Sequence, residues 1–178
     1  MTDKGQGTMN WIDELKNLLG DCVRTDKATL QAHAGDKWHA AALPEAVVLA
    51  TSTEAVSTAM KVAYAHGVPV TPRGAGVGYV GGCVPVRGGL VISTASMTRI
   101  VEVNPADGVA VAEAGVLTAD LQEACARVGW FYPPDPASRK ESSIGGNIAT
   151  NAGGPRCLKY GVTRAYVLGL TVVLPDGR

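Results

Sequence analysis

The chain has 178 residues, of which 46% are hydrophobic and 18% charged, and its 16 basic side chains balance 16 acidic ones. This composition suits one globular domain with a sizeable core, and a zero net charge provides no long-range attraction for nucleic acid or an anionic membrane. Because no apolar stretch reaches the roughly 18 residues of a membrane span and the N-terminus lacks a signal-peptide pattern, we expect a cytoplasmic protein without a nucleic-acid partner.

In chain order, an unstructured lead precedes a helix over 11–20, which Asn10 caps. Residues 21–45 have no clear hydrophobic period and predict a loop with at most one short turn. Patterns of period 2 and period 3.6 then predict three elements before a glycine-rich run: a strand over 46–50, a helix over 52–67 and a strand over 68–71. Residues 1–42 are therefore assigned as an N-terminal helix with its lead-in, and 43–178 as the main domain.

The second half predicts mostly strands. The Asp-Gly turn at 107–108 indicates that two of them form a hairpin. A helix follows, with Thr118 as the candidate cap. Region 132–161 shows no convincing helix or strand apart from the run SIGGNIATN. The predicted elements are strands over 90–93, 98–103 and 108–114, a helix over 117–129, and a strand and turn over 166–178. This order favours an α+β fold with mixed strand pairing.

The four cysteines lie far apart, at positions 22, 83, 125 and 157, and form no C-x-x-C pair. That spacing argues against a zinc or iron–sulfur site, so no metal site is predicted. Without a secretion signal, a disulfide framework is not expected either. We expect four reduced thiols in or near the core.

The run TPRGAGVGYVGG, residues 71–82, follows a predicted strand and spells G-x-G-x-x-G over 76–81. A Rossmann motif needs a helix at its third glycine, but no helical segment fits between 74 and 90. A Walker loop is excluded because no Gly-Lys-Ser/Thr follows. Two alternatives remain: a nest of backbone amides that holds a phosphate, with Arg73 as a nearby charge or surface ion pair, and a crossover that binds no ligand.

A second glycine-rich region follows within 132–161. Loops of this length are uncommon unless they are functional or disordered, and the apolar residues scattered through this one argue against disorder. Its glycines, Asn147 and Asn151 offer amide groups suited to pyrophosphate, ribose hydroxyls or the polar edge of a ring. The alternative is that these asparagines cap turns. Two such regions in one domain favour an elongated dinucleotide as a shared ligand.

The ordered runs PRGAGVGYVGG, PPDPAS, SIGGNIATNAGGPRCLKYG and VLGLTVVLPDGR closely resemble the FAD-binding domain of the FAD-linked oxidases. This is the vanillyl-alcohol oxidase/p-cresol methylhydroxylase superfamily, and the similarity is nearest to its branch of glycolate oxidase FAD subunits and D-lactate dehydrogenases. The resemblance covers 43–178. It implies an α+β, two-subdomain FAD-binding domain of the p-cresol methylhydroxylase type, incomplete at the C-terminus.

The resemblance also implies which residues hold FAD. A first loop surrounds the pyrophosphate, a second segment lies along the flavin, and a third forms the opposite wall. Val77 stands where members with covalently bound flavin often carry histidine, so non-covalent binding is expected. The three groups are Pro72, Arg73, Gly74, Ala75, Gly76, Val77 and Gly78; Pro134, Asp135, Pro136 and Ser138; and Ser143, Ile144, Gly145, Gly146, Asn147, Asn151 and Gly153.

By the same resemblance, the intact protein is a flavin-dependent oxidoreductase that oxidises a 2-hydroxy acid of the glycolate or D-lactate type. Hydride would pass from the substrate α-carbon to flavin N5 and then to an acceptor. The alternatives are a stand-alone FAD- or nucleotide-binding module without catalysis and a related flavin reductase acting on a UDP-sugar. The PDP and NAGG runs favour the hydroxy-acid branch. The sequence identifies neither the electron acceptor nor a membrane or iron–sulfur partner subunit.

In that family the flavin domain continues beyond a PDG turn like the one at 175–177 and is followed by a substrate domain. We therefore expect an N-terminal piece of a longer enzyme, with catalytic residues that these 178 positions do not include. Such a piece is expected to catalyse nothing and to bind FAD weakly or not at all. A Gly-Ser-Glu-Gly motif after residue 178 would distinguish the enzyme from a stand-alone module.

Overall fold

The computed structural model describes residues 9–38 and 40–178; the first eight residues of the predicted lead lie outside them. Helices and strands alternate in the first part of this chain, four strands and then three helices follow, and short 3₁₀ helices lie at Gly20–Cys22 and Thr163–Tyr166. The helices are α1 Trp11–Leu19, α2 Lys27–Ala32, α3 Thr53–Ala65, α4 Thr118–Arg127, α5 Ile144–Thr150 and α6 Cys157–Tyr160. The strands are β1 Val23–Arg24, β2 Ala46–Leu49, β3 Val70–Arg73, β4 Leu90–Ser93, β5 Ile100–Asn104 and β6 Val109–Ala112.

The larger sheet has the strand order β1-β2-β4-β3. Strand β4 pairs in parallel with both β2 and β3, and β1 joins β2 antiparallel. The central strands are mostly apolar and buried, with Ser93 as the one polar residue, as is typical of parallel strands covered on both faces. Helices α1 and α3 bury Leu15, Ala59 and Val62 in this core, while Asn10 and Ser52 cap the two helices as their N-cap residues.

A second core lies under the smaller sheet. Strands β5 and β6 form the predicted antiparallel hairpin. Helix α4 packs Leu121 and Cys125 against it, and Ile144 from α5 completes the cluster. The predicted cap Thr118 is wrong: Leu117 holds the N-cap position without a side-chain hydrogen bond, and Thr118 is fully buried instead.

Three predicted segments differ from the structure. The segment 21–45, predicted as a loop, contains β1 and α2. Strand β1 forms because it pairs with the later strand β2, and α2 begins where Asp26 caps it. The region 132–161 forms α5 and α6. The strand over 166–178 is wrong: this segment pairs with no strand in the described part of the chain, and Leu168, Leu170 and Val172 are exposed. Apolar composition alone does not supply the partner edge that a strand needs.

The four cysteines are free thiols. Cys125 is buried, and burial raises the pKa of its thiol. Cys157 is exposed, so the expectation that all four lie in or near the core is wrong for this residue. Over residues 9–38 and 40–178, no helix combines the length and apolarity of a membrane span, and no group of three or more His, Cys, Asp or Glu side chains is arranged to hold a metal.

Candidate functional site

The glycine loop begins where β3 ends. Strand β3 lies two residues later than predicted, so it delivers Arg73 directly into the loop, and the Arg73 carbonyl accepts from Thr94 N at 2.9 Å. No helix lies between 74 and 90, as the exclusion of a Rossmann motif predicts. Gly76 has φ of 71°, in the left-handed region that glycine tolerates.

The backbone amides of this loop are the main feature of the site. In the described structure, the five consecutive N–H groups from Gly74 to Gly78 donate to no protein acceptor. Backbone donors are almost always paired in folded proteins unless water or a ligand satisfies them. A run of such donors on one turn is suited to an anion with several oxygens.

The Arg73 side chain turns into the protein. Its Nη1 donates to the Gly35 carbonyl at 2.6 Å and to Cys83 Sγ at 3.3 Å, and its Nη2 donates to the Ala32 carbonyl at 3.4 Å. The guanidinium also fills the space where a Cβ atom on Gly76 would lie. Its first role is therefore to support the loop, and a direct contact with FAD stays a prediction.

The segment 35–38 packs on the outer side of the loop. Asp36 Oδ2 accepts from Gly81 N at 2.9 Å, and Lys37 N donates to the Gly78 carbonyl at 3.1 Å. The Trp38 ring meets the Tyr79 ring edge-on, with centroids 6.1 Å apart. Sequence reasoning missed this segment because its residues have no local periodicity and its partners lie about forty positions away.

The second wall meets the glycine loop at one point. A Cβ atom on Gly74 would lie 2.5 Å from Ser143 Oγ and 3.7 Å from Gly146 N. Ser143 is the N-cap of α5, and its Oγ accepts from Gly146 N at 3.3 Å. The structure thus brings together two predicted segments that are 69 positions apart.

The backbone amides at the start of the second wall already donate hydrogen bonds within the protein. Ile144 N donates to the Val116 carbonyl and Gly145 N to the Ala114 carbonyl, each at 2.8 Å. A Cβ atom on Gly145 would lie 2.9 Å from the same Ala114 oxygen, so glycine lets α5 dock closely on the chain after β6. The wall therefore contributes shape to the site, whereas the first loop contributes free donors.

Asn147 faces the interior. Its side chain is 3% exposed, and its Nδ2 donates to Thr118 Oγ1, which in turn donates to the Ser142 carbonyl at 3.1 Å. The side-chain nitrogen and oxygen atoms that are buried in the described structure all have partners. This network joins α4 to the start of α5 and accounts for the buried Thr118. A contact between Asn147 and FAD stays a prediction.

The predicted flavin-side segment, 134–138, is held by side chains around it. Gln122 Nε2 donates to the Pro134 carbonyl at 2.7 Å. The Asp135 carboxylate is 10% exposed; it accepts from Arg156 N at 3.2 Å and pairs with Arg156 Nε at 3.2 Å. Ser142 N donates to the Ser138 carbonyl at 2.7 Å, which ties this segment to the second wall.

The last two predicted residues lie at the far end of α5. Asn151 ends the helix in the left-handed conformation, with φ of 50°, and its Oδ1 accepts from Arg164 N at 2.9 Å. Gly153 packs against Val162. A groove of about 400 Å³ lies beside Asn151, lined also by Ile148, Arg164, Val167 and Leu170. This groove is separate from the free amides of the first loop.

Comparison with protein families decides the class. The family described as FAD binding domain matches residues 44–178. The chain belongs to this FAD-binding domain family. FAD is accordingly its cofactor, and the resemblance to the FAD-linked oxidases is confirmed.

Known relatives of this FAD-binding domain are oxidoreductases. The chain is 46% identical over 135 residues to glycolate oxidase subunit GlcD of Bacillus subtilis, covering 76% of this chain and 29% of that protein. It is 46% identical over 160 residues to D-lactate dehydrogenase of Anaerostipes hadrus, covering 90% and 33%. The chain therefore spans about a third of the length of the curated relatives it matches.

Among solved structures, p-cresol methylhydroxylase with substrate bound superposes with a TM-score of 0.80 at 24% identity, covering 94% of this chain and 34% of that one. At this identity the likeness concerns the fold. The predicted α+β fold of the p-cresol methylhydroxylase type is confirmed.

Proposed function

We propose that this chain is the FAD-binding part of a flavin-dependent oxidoreductase that oxidises a 2-hydroxy acid. The observation that carries the proposal is the run of free N–H groups from Gly74 to Gly78, placed against Ser143 of the second wall. The cofactor of the family contains a pyrophosphate, which is an anion of the kind that such a run binds.

The residues fit the cofactor in two further respects. Gly78, Gly81 and Gly82 have open space where a Cβ atom would be, so a ligand can approach the loop backbone closely. The loop contains Val77 and no histidine, which supports a non-covalent attachment. When bound, FAD supplies the hydride acceptor, and this chain binds, orients and partly encloses it.

The substrate class is inferred from the relatives. The names of two relatives, at 46% identity each, refer to glycolate and D-lactate, which are both 2-hydroxy acids. We infer that the protein carrying this chain uses a substrate of this class through residues that lie elsewhere. A cytoplasmic location stays a prediction, and no electron acceptor or partner subunit is proposed.

The substrate test uses the full-length flavoprotein that carries this chain. Anaerobic addition of D-lactate or glycolate should bleach the absorbance of its oxidised flavin, because hydride transfer reduces the flavin. The 2-hydroxy-acid proposal is wrong if neither acid, nor a larger 2-hydroxy acid such as 2-hydroxyglutarate, bleaches it. Bleaching by a nicotinamide nucleotide and reoxidation by a UDP-sugar would instead support the flavin reductase.

The chain alone provides the second test. The resemblance leaves weak binding of FAD or none as the expectation for the chain alone. Because the unpaired amides from Gly74 to Gly78 lie within this chain, we propose weak, reversible binding, and no turnover of a hydroxy acid. Its visible flavin spectrum after purification, followed by titration with FAD, measures both occupancy and affinity. A stoichiometric flavin that survives gel filtration would contradict the expected weak binding.

A further inference from the structure

We infer that Asp36 and Arg73 are positioning residues that hold the glycine loop in its binding conformation before FAD arrives. Asp36 lies outside the residues that match the FAD-binding domain family, 44–178. The inference rests on the proposed function, since it concerns the loop that we propose for the pyrophosphate. It adds a segment of this chain to that site.

The Asp36 carboxylate joins two parts of the chain. One oxygen, Oδ1, accepts from Trp38 N at 2.9 Å within its own turn, and the other, Oδ2, accepts from Gly81 N at 2.9 Å in the glycine loop. Hydrogen bonds to an ionised acceptor are stronger than those between neutral groups. The carboxylate therefore fixes the far end of the loop to the turn at 36–38.

The turn itself is anchored to the protein. Asp36 N donates to the Ala40 carbonyl at 3.3 Å, and Ala42 N donates to the Ala34 carbonyl at 3.0 Å, closing a small hairpin-like loop. The Lys37 ammonium pairs with the Glu141 carboxylate, which raises the pKa of Lys37 and reaches the segment before the second wall. Residues 36–38 therefore contact both the glycine loop and the segment that leads into the second wall.

Arg73 holds the near end of the loop from beneath. Its guanidinium connects the Gly35 carbonyl, Cys83 Sγ and the Ala32 carbonyl, with Gly76 packed directly above it. The guanidinium makes these contacts from two nitrogens held in one plane, whereas lysine has a single nitrogen and cannot occupy both positions. The guanidinium of Arg73 therefore stabilises the conformation of the loop through these contacts within the protein.

This arrangement matters because a loop of glycines is otherwise costly to order. Gly76 and Gly81 both have positive φ, and glycine loses more conformational freedom on ordering than other residues. If contacts within the protein order the loop in advance, ligand binding does not have to meet that cost. The loop that carries the free amides from Gly74 to Gly78 then stays ordered in the absence of ligand.

The experiment compares the chain with its Asp36→Asn variant. Asparagine has one acceptor oxygen, so it accepts from Trp38 N or from Gly81 N but not from both, and in either orientation the charged connection between the turn and the loop is lost. We expect faster amide hydrogen exchange at Gly81 and its neighbours and an FAD dissociation constant raised on the order of tenfold, as loss of a charge-assisted hydrogen bond implies. The matched control is Asp107→Asn, another surface carboxylate that accepts a hydrogen bond in a turn, from Asn104 Nδ2.

A second variant, Arg73→Lys, keeps the positive charge but removes the planar pair of nitrogens that contacts Gly35 and Ala32. The inference predicts weaker FAD binding and faster exchange across 74–83; unchanged affinity in this variant would show that charge alone matters and would overturn the role of Arg73. Exchange in β2 and β4 should stay unchanged in both variants, which separates loop positioning from general destabilisation.

The exchange measurement needs no FAD. If the unaltered chain bound no FAD, the proposed function would fail in this chain, while exchange at Gly81 would still decide whether Asp36 orders the loop. Exchange and FAD affinity that both remain unchanged in Asp36→Asn would overturn the inference.

Discussion

Gly74 and Ser143 are in close contact where the two glycine-rich segments meet: a Cβ atom on Gly74 would lie 2.5 Å from Ser143 Oγ, the group that caps α5. The same hydroxyl accepts from Gly146 N. Two glycine-rich segments are therefore linked through one side chain, and the shape of the first depends on the cap of the second.

Gly74→Ala should destabilise the fold by about 1 kcal/mol, the usual effect of losing an N-cap, because the new methyl group displaces Ser143 Oγ. The same change in a Ser143→Gly background should have a much smaller effect, since glycine is a tolerable cap and leaves room. Urea unfolding of the four proteins in this cycle measures the coupling. Equal effects in both backgrounds would show that the two residues act independently.

Gly145→Ala should lower the free energy of unfolding by about 2 kcal/mol, because its Cβ would press on the Ala114 backbone and one of the two segments would have to shift. Gly78→Ala is the matched control. That position has open space around it, so its stability should change by less than about 0.5 kcal/mol. Thermal unfolding compares the two, and similar losses in both would contradict the packing assigned to Gly145.

Thr118→Val should cost about 1–3 kcal/mol, because it leaves the buried Asn147 Nδ2 donor without its partner. The Ser142 carbonyl loses the Thr118 hydroxyl but still accepts from Thr118 N. Thr118→Ser keeps the hydroxyl and should retain most of the stability. Chemical denaturation of both variants tests this. A valine variant as stable as the serine variant would mean that the hydrogen-bond network contributes little.

Tyr132 predicts an alkaline limit to stability. Burial raises the pKa of its phenol from 10.0 to about 12. The folded state therefore binds the phenol proton more tightly than the unfolded state does. The protonated Tyr132 makes its full contribution to the free energy of unfolding below pH 10, and this contribution is lost as the pH rises towards 12. Tyr132→Phe should lack that part of the decline, whereas Tyr64→Phe, at an exposed position, should retain it. The test is the free energy of unfolding of the three proteins measured between pH 10 and 12. Parallel curves for Tyr132→Phe and the unaltered chain would contradict the raised pKa assigned to Tyr132.

Much of the fold was predictable because local signals and tertiary structure agree. Helix α1 has its cap and its apolar face within ten residues, and the hairpin has its Asp-Gly turn between its strands. The segment 21–45 was not predictable in this way. Strand β1 has two residues and exists only because β2 offers an edge, a partner about 24 positions away.

The candidate site likewise has features that the sequence predicted and features that it did not. Glycine spacing predicted the first loop and the wall that begins at Ser143, and the structure brings them into contact. The contributions of Asp36 and Arg73 depend on hydrogen bonds to backbone groups of distant residues, which side-chain patterns do not encode. The segment 166–178 shows the converse case. Its apolar residues predict a strand, but in the described structure no neighbouring strand pairs with it, so no strand forms.

The central claim is that the free amides from Gly74 to Gly78 bind the pyrophosphate of FAD. The most direct measurement is a fluorescence titration of the chain with FAD and, separately, with riboflavin, which lacks the pyrophosphate and adenosine. We predict saturable FAD binding at least about tenfold tighter than that of riboflavin, in line with the loss of charge-assisted hydrogen bonds, and complete release of flavin on acid denaturation. Equal affinities for the two ligands, or no saturable binding of FAD, would contradict the account.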